Sequence, residues 1–550
     1  MSPIIECVPN FSEGQNTEII KQITDQIESV AGVRLLNVDP GKATNRTVVT
    51  FVGSPEAVIE AAFLSIQKAG ELIDMRVHKG EHPRMGATDV CPLIPIAGIS
   101  MEETAVWARR LAERVGRDLQ IPVYLYEAAQ SDKRRSNLSV IRAGEYEGFF
   151  KKIKLPEWAP DHGPAEFDVR RGGTVIGARD FLVAYNVNLN TTSTRRANAI
   201  AFDVREAGRV IKEGEKSVQI PGTLKAVKAI GWYIDEYGIA QISMNLTNIR
   251  VTPVHVAFDE VCRAAAERGI RVTGSELVGL IPLQAMLDAG KYFLEKQQRS
   301  TGVSEKELIR IAILSMGLDE LGPFKPEERI IEYQLRSATA DKLVRMSLTG
   351  FADETASESA APGGGSIAAY VGSLGAALGT MVANLSSHKK GWDDRWKEFS
   401  DWAERGQRRK DELLRLVDAD TQAFNGIMAA FALPKSNEAE KQLRHAAIQQ
   451  ATRTAIEVPY LVMESAFASL EVIEAMAAEG NPNSVSDAGV GALCARAAVL
   501  GAFLNVRINA AGYDDKSYVA QVLEKGAVIE AETVRKEEAI LQLVKDKIGV

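Results

Sequence analysis

Short apolar runs alternate with amphipathic segments through the first part of the chain, which predicts strands and helices in regular succession. The predicted elements, in chain order, are strand 3–8, helix 16–31, strands 33–38 and 47–52, helix 55–73, strand 90–94, helix 101–119 and strand 123–126. The order βαββαβ is typical of a ferredoxin-like unit, with helices covering one face of an antiparallel sheet.

A loop rich in proline, glycine and charge at 155–178 separates this unit from a second one with the same rhythm. Its predicted elements are strand 181–189, helix 193–208, strands 226–234 and 239–246, helix 254–268, strand 270–273 and helix 283–298. The topology repeats without strong residue identity. We therefore expect two ferredoxin-like subdomains side by side, which makes the N-terminal half an α/β (α+β) fold.

Beyond residue 331 the period changes from two to about 3.6, and no alternating strand pattern remains. The predicted helices lie at 338–351, 366–387, 393–431, 436–475, 487–509 and 515–547. This pattern predicts an all-α bundle. The expected domains are 1–180 and 181–325 for the two subdomains, 326–337 for a linker and 338–550 for the bundle.

Composition narrows the possible classes of protein. Hydrophobic residues make up 45% and charged residues 25% of the 550, and we expect no charge-free apolar run of the ~20 residues that cross a bilayer. The N-terminus lacks the features of a secretory signal, so we expect a cytoplasmic protein. Its four cysteines are widely spaced, which favours reduced thiols. The net charge of −8, with dispersed signs, argues against nucleic acid as a partner.

The loop at 74–95 is the first candidate site. His82 is the best general base in it, because imidazole titrates near neutrality and the adjacent Glu81 can orient it or stabilise its cation. A metal site formed by His78, His82 and Asp89 is the alternative, although Gly80 interrupts the scaffold that catalytic zinc requires. A solvated loop with no function also remains open.

Further polar residues stand at strand ends or in loops of the same unit, where they can converge on this loop. They are Asn10, Asp39, Asn45, Arg46 and Arg84. The two arginines suit a dicarboxylate substrate through bidentate pairing, and the alternative is that they are surface charges.

The second candidate is the glycine-rich turn Gly363, Gly364, Gly365 and Ser366, which opens an alanine-rich helix. The glycines let a ligand approach the backbone, and the first helical turn offers free N–H groups to an anion or a polar ring. A phosphate-binding loop of the Gly-x-x-x-x-Gly-Lys-Ser/Thr kind is absent, so nucleotide binding is not supported. A simple capped helix start is the alternative.

The third candidate is a pair of aspartates, Asp418 and Asp420, which a helix places on nearly opposite faces. Leu416, Val417 and Phe424 share the face of Asp420, so we expect Asp420 to be buried and Asp418 to be solvated. Desolvation would raise the pKa of Asp420 and suit it to proton transfer. A structural hydrogen bond to a neighbouring helix is the alternative.

The fourth candidate lies on the almost wholly apolar helix at 487–509, which we expect to be buried. Asn505 and Asn509 are one turn apart on the same face, so they could hydrogen-bond the edge of a polar heterocycle. Helix-to-helix hydrogen bonds are the alternative role.

Six stretches together resemble the bifunctional formiminotransferase-cyclodeaminase family over nearly the full chain. Residues 6–14, 78–86 and 177–179 are similar to its transferase half, and 361–366, 417–420 and 484–487 to its cyclodeaminase half. The resemblance implies that His82 is the transferase base and that Asp420 is the cyclodeaminase acid and base. It also implies a folate-binding stretch at 163–172 and further substrate contacts, at Gly163, Pro164, Phe167, Gly172, Gly177, Arg179 and Asp487.

The implied reaction transfers the formimino group of N-formimino-L-glutamate to tetrahydrofolate and then closes the ring to 5,10-methenyltetrahydrofolate with loss of ammonia, a step of histidine degradation. Tetrahydrofolate, polyglutamylated in this family, is then a co-substrate, and no metal or nucleotide is needed. The family also implies a homo-oligomer, an octameric ring of dimers. An N-formylglutamate-dependent formyltransferase, a metal-dependent hydrolase and a non-catalytic folate-binding scaffold remain alternatives.

Overall fold

The computed structural model describes residues 3–41, 45–80, 84–213, 216–235, 237–335, 343–359 and 361–549. The internal contacts divide the chain into two compact units, one of residues 1–285 with 317–335 and one of residues 286–316 with 336–550. The first unit is mixed α/β and the second is helical. The predicted division into three domains and a linker remains a prediction, and the contacts add that residues 286–316 pack within the helical unit.

A mixed sheet forms the first half of the α/β unit. Its strands are β1 (Ile4–Cys7), β2 (Asn10–Phe11), β3 (Val33–Gly41), β4 (Arg46–Gly53), β5 (Thr88–Ala97), β6 (Val123–Glu127) and β7 (Thr174–Ala178). Both β1 and β2 pair with β4 on one side and β5 on the other, so they are two pieces of one interrupted strand. The full order is β3, β4, β1 with β2, β5, β7, β6.

Strand β7 lies within the stretch that we expected to be a loop, so that expectation is wrong for residues 174–178. All five residues of β7 are buried between two parallel neighbours, β5 and β6. A parallel strand that is buried on both faces shows no alternation, which is why the sequence pattern missed it.

Three helices cover one face of this sheet: α1 (Thr17–Glu28), α2 (Pro55–Leu72) and α3 (Met101–Arg114). The side chains of Asn16, Ser54 and Ser100 cap their first turns, and Ser100 with Glu103 forms a full capping box. Two short helices that the pattern did not predict, α4 (Leu138–Arg142) and α5 (Glu145–Lys152), follow β6.

A four-stranded antiparallel sheet forms the second half of the α/β unit. Its elements are β8 (Val183–Leu189), α6 (Thr194–Val204), the unpredicted hairpin β9 (Arg209–Glu213) and β10 (Lys216–Ile220), then β11 (Val227–Ile234), β12 (Ile239–Leu246), α7 (Val254–Ala266) and β13 (Val272–Val278). The sheet order is β11, β12, β8, β13. Gly231 packs closely against α6, because a Cβ atom at this position would lie only 2.4 Å from the Ala197 backbone. Its neighbours Ile230 and Trp232 therefore face away from that helix.

Four shorter helices follow: α8 (Leu283–Lys296), α9 (Glu305–Met316), α10 (Pro326–Arg329) and α11 (Ile331–Leu335). Within the helical unit, Ser400 Oγ accepts a hydrogen bond from the Thr301 backbone, and Asn384 donates to the Gly302 carbonyl. These contacts attach the segment between α8 and α9 to the bundle.

The bundle consists of α12 (Leu348–Thr355), α13 (Gly364–Ser387), α14 (Trp396–Ala432), α15 (Glu438–Glu479), α16 (Val485–Ala510) and α17 (Lys516–Ile548). The predicted helix at 338–351 is wrong for residues 343–347, which are not helical, and confirmed for 348–351, which form the first turn of α12. Ser347 accepts a hydrogen bond from the Gly350 N–H and so caps α12 at its observed start.

Two apolar helices of the bundle correct the sequence analysis. By length and hydropathy, Gly364–Ser387 and Pro482–Ala510 could each cross a membrane, contrary to the expectation that no run was long enough. Only 61% and 50% of their most apolar windows are buried. The expectation that the helix of Asn505 and Asn509 is fully buried is therefore wrong, and Leu504 and Ile508 are 63% and 73% exposed.

Candidate functional sites

Glu81 and His82 lie outside the described residues, whereas both flanks of their loop are described and tightly held. Asn45 joins three segments at this point. Its side chain accepts a hydrogen bond from the Gly14 N–H at 3.0 Å and donates to the Lys79 carbonyl at 2.8 Å. The N-terminal flank of the histidine loop is thus fixed to the end of β4.

Both ring nitrogens of His78 are engaged. Nε2 lies 2.8 Å from the Asn45 carbonyl, to which it can only donate, and Nδ1 accepts a hydrogen bond from Arg84 Nε at 3.3 Å. Burial lowers the pKa of His78 and favours the neutral ring that this arrangement needs. No nitrogen lone pair of His78 is left for a metal ion. This geometry argues against the three-ligand alternative that includes His78.

Arg84 binds two glutamates that the sequence analysis did not select. Its guanidinium contacts Glu147 at 2.6 Å and Glu145 at 3.1 Å, and its side chain is 9% exposed. These residues, with Lys79, Gly80 and Gly144, line a cavity of about 570 Å³. A substrate carboxylate could bind Arg84 there only by displacing Glu147. No sequence pattern marks the two glutamates, which belong to the unpredicted helix α5.

Asn10, Arg46 and Asp39 lie together beside this loop. Asn10 is buried and its Oδ1 accepts a hydrogen bond from Arg46 Nη1 at 2.9 Å. Burial lowers the pKa of Arg46, while the charges of Asp89 and Asp39 oppose that shift. The predicted convergence of these strand-end residues is therefore present within the α/β unit.

Asp89 is the most buried acid near the loop, with 1% exposure. Its Oδ1 accepts a hydrogen bond from the Met85 N–H at 2.9 Å, and its Oδ2 lies 2.7 Å from Arg142 Nη2. Burial raises the pKa of Asp89 to about 6, against the opposing charges of Arg142 and Arg46. Asp89 thus holds the C-terminal flank of the histidine loop rather than an open site.

The stretch 163–172 packs against that same flank. The Ala87 N–H donates to the Arg171 carbonyl at 2.8 Å, and Gly86 pairs with Gly172. Gly172 has φ +70°, and a Cβ atom there would lie 2.2 Å from the Met85 carbonyl oxygen. Gly163, with φ +80°, is equally close to the Ile121 carbonyl.

Phe167 connects the stretch to the cavity through aromatic contacts. Its ring centroid lies 5.3 Å from that of Tyr146, whose backbone N–H donates to the Arg84 carbonyl. Pro164 follows Gly163 at the far end of the stretch. The structure therefore brings the histidine loop, the cavity and most of the predicted folate-binding stretch together.

Gly177 and Arg179 do not join this cluster, because they lie at the other end of β7, roughly 20 Å from Gly172 at the usual strand rise. Gly177 leaves room for Tyr126, whose carbonyl would meet a Cβ atom at 2.3 Å. The charge of Arg179 acts on buried Glu6, but burial prevails and raises the pKa of Glu6 to about 8.

In the helical unit, the predicted turn and the predicted aspartate meet. Asp420 Oδ2 accepts a hydrogen bond from Ser366 Oγ at 2.9 Å, and its carboxylate lies where a Cβ atom on Gly365 would be, at 2.2 Å from Oδ1. Desolvation raises the pKa of Asp420, although the Ser366 hydroxyl and backbone N–H oppose the shift. The carboxylate therefore sits on the first turn of α13, with Gly363 as the residue before the helix.

The expected burial of the two aspartates is reversed. Asp418 is 8% exposed and accepts a hydrogen bond from the Leu343 N–H at 3.0 Å, whereas Asp420 is only partly buried. The assumed apolar face fails at Phe424, which is 39% exposed. A segment that returns from far along the sequence covers Asp418, and helical periodicity carries no information about such a contact.

The remaining predicted residues of this unit have different positions. Asn505 lies beside Gly364 and donates to the Gly501 carbonyl of its own helix, whereas Asn509 donates to the Ala455 carbonyl of α15 at 2.7 Å. Asp487 is in the first turn of α16, about 27 Å along the helix axis from Asn505. Within a single chain, Asp487 therefore lies far from Asp420.

Two separate polar clusters, one on an α/β unit and one on a helical unit, indicate a chain with two active centres. Family models match both: the formiminotransferase domain, N-terminal subdomain, over residues 4–179; the formiminotransferase domain over 184–336; and formiminotransferase-cyclodeaminase over 347–527.

Curated relatives agree with this division. The chain is 45% identical to a formimidoyltransferase-cyclodeaminase of Gallus gallus over 94% of either chain. A glutamate formimidoyltransferase of Streptococcus pyogenes serotype M1 is 40% identical over 54% of this chain and 94% of its own length. A methenyltetrahydrofolate cyclohydrolase of Methylorubrum extorquens is 36% identical over 36% of this chain and 96% of its own. The chain belongs to the formimidoyltransferase-cyclodeaminase family.

Proposed function

We propose that this protein is a bifunctional folate enzyme, which transfers the formimino group of N-formimino-L-glutamate to tetrahydrofolate and then cyclises 5-formiminotetrahydrofolate to 5,10-methenyltetrahydrofolate with release of ammonia. Family membership over nearly the full length supports both halves of this proposal. The observation that carries it is Asp420, a partly desolvated carboxylate held by Ser366 on the glycine-rich turn.

In the transfer step, N5 of tetrahydrofolate attacks the amidine carbon and must lose a proton, for which we assign His82. The same group then returns the proton to the departing glutamate nitrogen. Asn45, His78 and Arg84 hold the flanks of the His82 loop, and Asp39 and Arg46 lie beside it. Their contribution is positioning, which matters because a displacement of about 1 Å can cost about 100-fold in rate.

In the cyclisation step, N10 attacks the carbon of the protonated formimino group (–CH=NH2+) while its proton goes to Asp420. The departing nitrogen takes that proton back and leaves as ammonia, which gives the methenyl cation. A carboxyl with a raised pKa suits this exchange, because it binds the proton more readily than an exposed aspartate does. Ser366 directs the carboxylate, and Gly365 leaves the space that the carboxylate occupies. The residues need neither a metal nor a nucleotide for either step.

The test is to supply the full chain with N-formimino-L-glutamate and tetrahydrofolate and to measure ammonia and 5,10-methenyltetrahydrofolate. We expect His82→Ala to abolish transfer but to spare cyclisation of supplied 5-formiminotetrahydrofolate, and Asp420→Asn to do the converse. Asp401→Asn is the matched control, since Asp401 lies on the same helix in a surface ion pair with Lys397. Wild-type turnover of N-formyl-L-glutamate without ammonia would favour a formyltransferase instead.

Finer features of the expected fold and assembly belong to the same proposal. The order β11, β12, β8, β13 and the matching order β3, β4, β1, β5 support two ferredoxin-like subdomains. Exposed apolar side chains on three bundle helices, such as Leu374, Phe424 and Ile508, support a homo-oligomer, for which we propose the octameric ring. A cytoplasmic location, a role in histidine degradation and polyglutamylated tetrahydrofolate complete the proposal.

A further inference from the structure

The face of the four-stranded sheet that points away from α6 carries a chain of hydrogen-bonded side chains. Trp232 Nε1 donates to Gln241 Oε1 at 3.2 Å, and Gln241 Nε2 donates to Asn188 Oδ1 at 2.8 Å. Gln241 and Asn186 both point an amide N–H at Glu276 Oε2, at 3.4 and 3.2 Å. The chain crosses all four strands and reaches two carboxylates, that of Glu276 and that of Glu320, whose Oε2 accepts a hydrogen bond from Asn188 Nδ2.

The amides of this network are buried, but the Glu276 carboxylate has no cationic partner among the described residues. Gln241 is 0% exposed and Asn186 is 6% exposed, so their amides are fixed donors that cost free energy to bury unless they are hydrogen-bonded. Glu276 is half-buried, and within the described part of the chain no lysine, arginine or histidine forms an ion pair with it. Amide donors hold Oε2 in place, and no residue that the structure describes donates a hydrogen bond to Oε1, which can therefore accept one from a ligand.

An apolar rim of exposed side chains, on β11 and at the end of β13, lies on the same face of the sheet as this carboxylate. Trp232, Ile230 and Val278 are 37%, 52% and 46% exposed. Asn186 is the partner of Glu276 across the β8–β13 pair and Val278 is two residues further along β13. A flat ring could therefore lie on the rim with one edge at the carboxylate, because aromatic side chains stack well on heterocycles.

We propose that Glu276 binds the 2-amino and N3–H edge of the pterin ring of tetrahydrofolate, with Trp232 beside the plane of the ring. That edge presents two parallel N–H donors, which match the two oxygens of a carboxylate. The inference rests on the proposed transferase function and names the group that selects its folate substrate. The amidine of formiminoglutamate offers a similar donor edge, but it is too small to cover the apolar rim.

The first experiment measures the transferase half-reaction of the full chain with Glu276→Gln. Loss of a hydrogen bond to a charged group predicts that KM for tetrahydrofolate rises roughly 10- to 100-fold. The KM for formiminoglutamate and the rate of cyclisation are expected to be unchanged. Glu267→Gln is the matched control, because Glu267 lies on the opposite side of the sheet at the end of α7, in an ion pair with Arg263.

A second arm compares 5-formyltetrahydrofolate with its 2-desamino-2-methyl analogue by calorimetric binding. Wild type should discriminate against the analogue, and Glu276→Gln should lose most of that discrimination, as a double-mutant cycle requires. If Glu276→Gln does not fold, Trp232→Ala at the exposed rim replaces it, and the same rise in KM for tetrahydrofolate is expected.

Any of three results for the Glu276→Gln protein would overturn the proposal. The KM for tetrahydrofolate is unchanged, the rise is confined to the KM for formiminoglutamate, or the oligomeric state changes without a change in either KM. If the protein lacks transferase activity but still discriminates between the two folates through Glu276, the result supports this inference and rejects the proposed function. The two failures are thus distinguishable.

Discussion

Gly365→Ala provides a selective test of the cyclodeaminase centre. The new Cβ atom would lie 2.2 Å from Asp420 Oδ1 and 2.6 Å from its Cγ, distances at which the carboxylate must retreat by about 1 Å. A displacement of that size can cost about 100-fold in rate. We therefore expect cyclisation to fall by about two orders of magnitude while formimino transfer stays at the wild-type level.

The free energy of unfolding should change little, because two effects oppose each other. Alanine favours the helix over glycine by about 1 kcal/mol, and overpacking costs about 1 to 3 kcal/mol. Gly364→Ala is the matched control, because the nearest atom to a Cβ atom there is Asn505 Nδ2 at 3.5 Å, an ordinary contact. Gly364→Ala should keep its cyclodeaminase activity.

The assay supplies 5-formiminotetrahydrofolate directly and follows ammonia, with the transferase rate measured on the same preparation. Near-wild-type cyclisation by folded Gly365→Ala would refute the assignment of Asp420 to proton transfer at this turn. Equal losses in Gly365→Ala and Gly364→Ala would refute the steric reasoning, since only one of the two alanines meets the carboxylate.

Three further results are expected. Ser366→Ala removes a hydrogen bond that lowers the pKa of Asp420, so the acid limb of the cyclodeaminase pH profile should move to higher pH, while the transferase profile stays in place. Burial raises the pKa of Glu6 from 4.5 to about 8, so the folded state keeps a proton that the unfolded chain loses; stability should fall as pH rises through that window, and Glu6→Gln should flatten the fall in melting temperature. Cys7 and Cys91 are both 0% exposed, so a thiol reagent should modify them only after unfolding, whereas immediate labelling of all four thiols would contradict that burial.

The periodicity of apolar residues predicted the elements that bury only one face. Helices with strong caps, such as the one that Ser100 opens, were found within a few residues of their observed bounds, and the change from alternating to helical pattern separated the two architectures. Strand β7 was missed because both of its faces are buried. Its pairing with β5 and β6 is a long-range property of the sheet, which local hydropathy does not contain.

The candidate sites show the same limit. The glycine-rich turn and Asp420 were selected separately, and the structure joins them through a contact 54 residues apart in sequence. The burial of Asp418 and the glutamate partners of Arg84 depend on segments that no spacing rule connects. The amides around Glu276 alternate with core residues on their strands, so the pattern identified the strands without revealing that their polar face is ordered.

The contact between Leu343 and Asp418 limits how this protein can be divided. Asp418 is buried, and the Leu343 N–H is the hydrogen-bond donor to its Oδ1. A helical half that began at residue 347, where its family match starts, would leave that carboxylate buried without this donor, at a cost of about 1 to 3 kcal/mol. It would also lose the contact of Ser400 with Thr301. An independently folding cyclodeaminase half therefore has to include residues well upstream of the helices that carry its chemistry.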